Sequence, residues 1–129
     1  MTMSLKSKPF FTRSKVWLVD AEGNVVFGMG RLRTLQAIKR HGSIHAAAKE
    51  LNIGYRAVWG RIQATESRLG EKLLEKTKGG VAGGGSRLTP LAESLIEHFD
   101  MVQRQVEKET DALFNRSLGD LLNLNSAPE

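Results

Sequence analysis

The glycine-rich stretch KTKGGVAGGGSRLTP, from Lys76 to Pro90, has the residue types of a loop that binds phosphate groups. Glycines leave backbone N–H groups open to an anion, and Lys76, Lys78 and Arg87 supply positive charge beside them. A nucleotide-binding loop reads G-x-x-x-x-G-K-[ST], whereas this chain has Ser86 where that pattern requires lysine. The residues SRLT also separate the last glycine from the next predicted helix. The pattern therefore disfavours a nucleotide site and favours the tip of a basic hairpin that contacts nucleic acid.

A second group of side chains shares one face of a predicted helix over residues 55–69. With 100° per residue and Val58 at the buried centre, Arg56, Gly60 and Gln63 point to the opposite side. Arginine can bond both O6 and N7 of guanine, and glutamine can bond N6 and N7 of adenine. Gly60 would let the helix backbone approach a duplex closely. These residues are candidates for reading bases; the alternative is an ordinary solvated helix face.

Tyr55 and Trp59 border the buried face of the same helix, and Arg61 borders it on the other side. Packing of the two aromatic rings in the core, with the polar edge outward, is the favoured interpretation. The alternative is contact with DNA, through a thymine methyl group or through a Tyr hydroxyl on phosphate. We keep both aromatic residues as secondary candidates for contact with bases, and Arg61 as a candidate for contact with phosphate.

No group of residues has the pattern of a catalytic centre. His41 and His45 are four apart, as zinc ligands on a helix can be, but Gly42 and Ser43 interrupt the helix between them. We interpret both histidines as solvated or capping residues. No Ser/His/Asp arrangement has a suitable context either. The sequence therefore predicts a protein that is not an enzyme and that requires no metal and no cofactor.

Charge is distributed unevenly along the 129 residues. Residues 1–89 carry 16 Lys and Arg against 6 Asp and Glu, a net charge of 16 − 6 = +10, whereas residues 90–129 carry 3 against 8, a net charge of −5. A basic body of this kind suggests a polyanionic partner, and double-stranded DNA is the expected one. The apolar runs are too short to span a membrane, and the absence of cysteine excludes disulfides, so we expect a cytoplasmic protein.

The periodicity predicts a mainly α chain with two short hairpins. Residues 1–14 form a flexible arm. Residues 15–89 follow, with a hairpin turning at Gly23 and Asn24, both suited to positive φ, and then a helix that ends at Gly42. Ser43 caps the helix Ile44–Leu51, a tight turn leads to the third helix, and Gly70 ends that helix.

Two further strands flank the glycine loop, and Thr89 and Pro90 begin a long helix. Two short helices joined by a tight turn and followed by a hairpin constitute a winged helix-turn-helix, whose second helix enters the major groove. The expected phosphate contacts come from the residue that caps the helix Ile44–Leu51, from the third helix and from the wing. These residues are Ser43, Arg61, Lys76, Lys78 and Arg87. The long helix spans residues 90–118, and residues 119–129 form a frayed tail.

An apolar stripe on the long helix approximates a heptad seam and predicts either a dimer interface or packing of the helix on its own body. Its residues are Leu95, Phe99, Val102, Val106 and Leu113.

The segments AAAKELNIGYRAVW and GGVAGGGSRLTP together resemble the N-terminal DNA-binding domain of the molybdate-responsive ModE regulators, and more distantly the LysR-type winged helix. The resemblance covers about residues 15–115. It implies a homodimer held by the terminal helix and a palindromic operator whose bases contact Tyr55, Arg56, Trp59 and Gly60. LysR-type domains usually have arginine at the position of Gly60, so one common contact is missing here.

Full-length ModE members also carry C-terminal molybdate-binding domains, for which this chain is too short. The resemblance therefore implies either a stand-alone regulator, with a possible link to molybdenum or oxyanion metabolism, or one served by a separate sensor or effector protein. The alternative function is a winged-helix module that binds proteins, or DNA without specificity, and has no sensor of its own.

Overall fold

The computed structural model of the chain describes residues 10–77 and 85–122. These residues belong to two compact units: a larger unit, Val16–Met101, and a smaller unit, which comprises the described parts of Met1–Lys15 and Val102–Glu129. Lys78 and residues 79–84 of the glycine-rich stretch lie outside the described residues, so the predictions made for them stay predictions. Among the described residues, no helix is long and apolar enough to cross a membrane.

An antiparallel hairpin of strands β1 (Trp17–Val19) and β2 (Val25–Gly28) opens the larger unit. Its turn contains Gly23 at φ 88°, as predicted, but Asn24 does not have the positive φ expected for it. The carboxylate of Asp20 accepts the N–H groups of Glu22 and Asn24, each at 2.9 Å, and these bonds fix the turn. The bond from the Asn24 backbone also holds the pKa of Asp20 below its ordinary value.

Three helices follow, namely α1 (Met29–His41), α2 (Ile44–Leu51) and α3 (Tyr55–Leu69). Gly42 and Gly70 end α1 and α3 at φ 75° and 74°, which confirms the predicted stops. The Ala46 N–H donates to Ser43 Oγ at 3.0 Å, so Ser43 caps α2 as expected. Asn52, at φ 59°, makes the sharp turn between α2 and α3.

Strands β3 (Leu74–Thr77) and β4 (Gly85–Leu88) pair antiparallel to form the base of the wing. Helix α4 (Pro90–Arg116) then begins at Thr89, whose Oγ1 accepts the Ala92 N–H at 3.2 Å, confirming the predicted cap. The long helix ends two residues before Leu118, the approximate end predicted for it. Ser117 interrupts it, and α5 (Leu118–Leu122) follows, so residues 119–122 of the predicted frayed tail are helical.

The core of the larger unit lies between the first hairpin, the three short helices and the start of α4. Phe27 of β2 contacts Phe99 of α4 edge to face, with ring centroids 5.1 Å apart and planes at 77°. The small side chains of Ala47 and Ala48 are buried in the helix-turn-helix, which allows α2 to pack closely. Burial of each large apolar side chain contributes about 1.5–3 kcal/mol. The main buried side chains are Phe27, Leu32, Leu35, Ile38, Val58 and Leu73.

In the smaller unit, residues 10–14 have no regular structure but are held against the later part of α4. Thr12 Oγ1 donates to Asp111 Oδ1 at 3.1 Å, and Gln103 Nε2 donates to the Ser14 carbonyl at 3.0 Å. The described part of the predicted arm therefore contacts α4, and its flexibility stays a prediction.

The architecture is mainly helical, with two small hairpins and a long helix near the end of the chain. This confirms the predicted fold class, a winged helix-turn-helix with a leading hairpin.

Candidate nucleic-acid interface

Helix α3 exposes the face that the helical spacing predicted. Arg56, Gly60 and Gln63 are exposed, whereas Val58 and Ile62 are buried in the core. The helix is anchored from its buried side by Thr65, whose Oγ1 donates to the Val26 carbonyl at 2.8 Å. The exposed face therefore has a fixed orientation on the larger unit and presents a guanidinium and a carboxamide at its centre.

Tyr55 and Trp59 are not in the core, so the favoured interpretation of core packing was wrong. Their residues are 39% and 45% exposed, respectively. Tyr55 packs instead on a neighbouring surface ring, that of His45 at the start of α2, with centroids 4.1 Å apart and planes at 18°. The sequence predicted only a solvated or capping role for His45, because contacts between residues of two separate helices depend on how the helices cross.

A cleft of about 350 Å³ opens between the helix-turn-helix and the base of the wing. It brings together His45, for which no contact with DNA was predicted, and several of the residues predicted to contact DNA. Its lining includes Ser43, His45, Tyr55, Trp59, Lys76 and Ser86. Arg61 does not line this cleft, although it was predicted to act with the wing residues.

The wing is bonded directly to the turn between α1 and α2. The Ser86 N–H donates to the Gly42 carbonyl at 2.8 Å. A Cβ atom on Gly85 would lie 2.9 Å from that same carbonyl oxygen and 2.5 Å from Thr77 Oγ1, so only glycine fits this close approach. The last glycine of the loop therefore has a packing role at the root of the wing.

Glu66 holds the start of β3 at the base of the wing. This role was not predicted from the sequence. Its Oε2 accepts the N–H groups of Leu73 at 2.7 Å and Leu74 at 3.2 Å. The side chain is only 11% exposed, and its Oε1 lies 3.9 Å from Lys72 Nζ. The carboxylate of Glu66, close to the exposed face of α3, is thus bonded to backbone N–H groups of the chain itself.

Arg87 is exposed on β4 and forms an ion pair with Glu75, its cross-strand partner, at 3.1 Å. Exposed pairs of this kind contribute at most about 1 kcal/mol, so the guanidinium can exchange this partner for a phosphate. Lys76 is exposed as well, and Lys78 lies outside the described residues.

Residues 29–93 match the family described as "Bacterial regulatory helix-turn-helix protein, lysR family". This range begins at α1, includes α3 and both strands of the wing, and ends in the first turn of α4. The chain belongs to the lysR family of bacterial regulatory helix-turn-helix proteins.

Relatives of this lysR-family chain include proteins named for molybdenum. The molybdenum-pterin-binding protein MopB of Rhodobacter capsulatus is 40% identical over 91 residues, which are 70% of this chain and 33% of MopB. The transcriptional regulator ModE of Haemophilus influenzae is 35% identical over 88 residues, 68% of this chain and 34% of that protein. The resemblance to ModE regulators is thus confirmed, and the chain spans about a third of the length of these curated relatives.

Two solved structures share the lysR-family fold. The crystal structure of the CbnR_DBD–DNA complex superposes with a TM-score of 0.53 at 24% identity, covering 68% of this chain and 95% of that one. The crystal structure of CbnR, a LysR family transcriptional regulator, superposes with a TM-score of 0.51 at 24% identity, covering 67% of this chain and 28% of that one. At 24% identity, these superpositions show a similar fold and no more.

Proposed function

We propose that the chain is a sequence-specific DNA-binding transcriptional regulator, without enzymatic activity, that acts in the cytoplasm. The observation that carries this proposal is the exposed face of α3, where Arg56 and Gln63 flank Gly60 beside a cleft with a basic wing. Arg and Gln are the side chains that bond two edge atoms of guanine and adenine, and the helix after the tight turn is the one that enters the major groove.

Phosphate contacts are proposed for the cleft and the wing. Ser43 and Lys76 line the cleft, and Arg87 is exposed on β4. Lys78 and Arg61 complete the set that we assign to phosphate. Tyr55 and Trp59 lie on the cleft wall with much of their surface exposed, which supports contacts to bases or to phosphate as secondary roles.

We propose that two copies of the chain form a homodimer through the long helix. Only part of the predicted apolar stripe is available for this interface. Leu95 and Phe99 pack on the core of the larger unit, so they contribute to the body of the chain. In the smaller unit, Val102 and Leu113 are 43% and 57% exposed, and Val106 is half-buried. Apolar side chains exposed along one helix are suited to pairing with a second copy. Two copies would then read the halves of a palindromic operator.

A link to molybdenum or oxyanion metabolism is proposed from the printed names of the relatives, MopB and ModE. The chain matches about a third of each. A separate sensor or effector protein is proposed as a partner in any response to an oxyanion. This part of the proposal is independent of the reading of bases by α3.

Selection of bound duplexes from a random DNA pool, at about physiological salt, tests the proposal. We expect an inverted repeat with half-sites about one helical turn apart. Recovery of no motif, with binding that disappears as salt rises, would contradict it. That outcome would favour the alternative, a winged-helix module for protein contacts or nonspecific DNA binding. The absence of the usual arginine at Gly60 is the feature that favours this alternative.

A further inference from the structure

On the side of α3 that does not face the wing cleft, the positive charges of two arginines, Arg61 and Arg68, act on a third, Arg31 of α1. Arg61 and Arg68 are seven residues apart on α3, and seven residues complete almost two full turns, so they lie on one face. Arg31 belongs to the first turn of α1, where no acidic side chain is present. We call these three residues the arginine cluster.

Arg31 is the most constrained of the three. It is half-buried, and its buried Nε has no hydrogen-bond partner among the described residues. Burial, followed by repulsion from Arg68 and Arg61, lowers the pKa of Arg31. A buried donor without a partner and repulsion between like charges both cost free energy unless another group compensates them.

The described residues supply little compensation. Arg68 Nη1 donates to the Val25 carbonyl, which holds that guanidinium against the first hairpin. Asp20 is the carboxylate whose charge interacts with Arg68, but its oxygens accept the backbone N–H groups of the hairpin turn. None of the ion pairs found among residues 10–77 and 85–122 includes a member of the arginine cluster.

We propose that the arginine cluster binds a tetrahedral oxyanion between α1 and α3. Guanidinium groups bond phosphate-like oxygens in pairs, and the positive N-terminal end of α1 adds to their attraction. The oxyanion can be a phosphate of the DNA backbone or a free ion of the same shape. As a DNA contact the cluster would extend the proposed phosphate footprint, which already includes Arg61, to Arg31 and Arg68. Only that form of the inference rests on the proposed function.

The free-ion form is tested by thermal unfolding of the full chain in potassium chloride and in potassium phosphate of equal ionic strength. Phosphate stabilises many proteins without binding to a site, so the comparison is between variants. Arg31→Gln and Arg61→Gln remove members of the cluster, and Arg33→Gln is the matched control, an exposed arginine two residues along α1. We expect phosphate to raise the Tm of the original chain and of Arg33→Gln more than that of the two cluster variants.

The DNA form is tested by the salt dependence of duplex binding. Loss of one phosphate contact reduces the slope of log K against log salt by about one. We expect this reduction for Arg31→Gln and Arg61→Gln and not for Arg33→Gln. Circular dichroism in chloride checks folding, and Arg31→Gln should be no less stable than the original chain because it relieves repulsion. If Arg31→Gln fails to fold, Arg68→Gln carries the test, because Arg68 is exposed and, unlike Arg61, is not already assigned to DNA phosphate.

The two measurements separate the sources of the ion. A loss of phosphate stabilisation alone identifies a free oxyanion, and a reduced salt slope alone identifies a DNA phosphate. Phosphate stabilisation that depends on the cluster, in a chain that binds no duplex, would support the site and contradict the proposed function. If both cluster variants behave like Arg33→Gln in both measurements, the proposal is overturned.

Discussion

The imidazole ring of His45 stacks on the phenol ring of Tyr55, with ring centroids 4.1 Å apart and planes inclined by 18°. His45 is the second residue of α2 and Tyr55 is the first residue of α3, so the stack joins the starts of the two helices of the helix-turn-helix. It also forms part of the wall of the wing cleft. The side chain that begins the proposed reading helix is therefore oriented by a residue outside that helix.

His45→Ala should weaken binding to the selected duplex by about two- to tenfold, since a stacked aromatic pair contributes about 0.5–1.5 kcal/mol beyond its buried area. Fluorescence anisotropy with a labelled duplex measures the effect. His98→Ala is the matched control, because His98 is exposed on α4 and bonds only to the Ser94 carbonyl of its own helix. Equal affinities for the two variants would show that the stack does not position Tyr55 for binding.

Gly60→Ala should affect stability and duplex binding in opposite directions. A Cβ atom at Gly60 meets no atom within 4 Å, so the folded chain has room for alanine. The substitution should stabilise the helix by about 0.5–1 kcal/mol, measured by urea denaturation. It should also weaken duplex binding if the backbone of α3 approaches the DNA here. Ser67→Ala, on the same exposed face, is the control. Unchanged or tighter binding by Gly60→Ala would mean that the backbone of α3 does not approach the DNA at Gly60.

Arg56→Ala and Lys76→Ala should have different signatures. Loss of Arg56 should cost about 1–3 kcal/mol on the selected duplex and relax the preference at one base position. Loss of Lys76 should weaken all duplexes alike and reduce the salt slope by about one. Titration of a small panel of single-base variants of the duplex distinguishes the two. A sequence-independent loss from both substitutions would contradict the assignment of Arg56 to bases.

The carboxylate of Glu50 should make stability depend on pH. Bonds from His41 and then Arg40 hold the pKa of Glu50 below its ordinary value of 4.5. The folded chain thus binds the proton less readily than the unfolded chain, so the contribution is complete above about pH 4.5 and is lost as pH falls through the folded pKa. The difference in unfolding free energy between the original chain and Glu50→Gln should shrink over this acidic range in urea titrations. Glu97→Gln, exposed on α4, is the control; a difference that stays constant with pH would contradict this.

Leu113→Glu should convert the proposed dimer to a monomer, because it places a charge on the exposed apolar side chain of the stripe. Sedimentation equilibrium gives the mass, and circular dichroism checks that the helix is retained. Asn115→Glu adds the same charge at an exposed position two residues away and should leave the mass unchanged. A dimer that persists in Leu113→Glu would place the contact elsewhere.

The helices and their ends could be predicted from sequence because their signals are local. Gly42, Ser43 and Gly70 act on neighbouring backbone groups, and the spacing of Val58 and Ile62 defines the buried side of α3. Such signals involve residues a few positions apart, so they are visible without knowledge of the tertiary structure.

The contacts that shape the candidate site could not be predicted in this way. Glu66 had the position of a surface carboxylate, and its bonds to Leu73 and Leu74 arise only when the wing folds back on α3. Tyr55 has the size of a core residue, yet its partner is the exposed His45. Part of the apolar stripe on α4 is used by Phe27 of the first hairpin, a contact between distant parts of the sequence.

The bond from Ser86 to the Gly42 carbonyl and the pairing of Thr77 with Gly85 hold both ends of the segment 78–84 by contacts that lie outside that segment. Lengthening a loop whose ends are fixed costs only about 0.6 kcal/mol for each doubling of its length. Insertions, deletions and changes of charge between these two anchors should therefore be tolerated while the rest of the domain stays the same. We therefore expect that residues between these two anchors can be exchanged to alter contacts with DNA without redesigning the core.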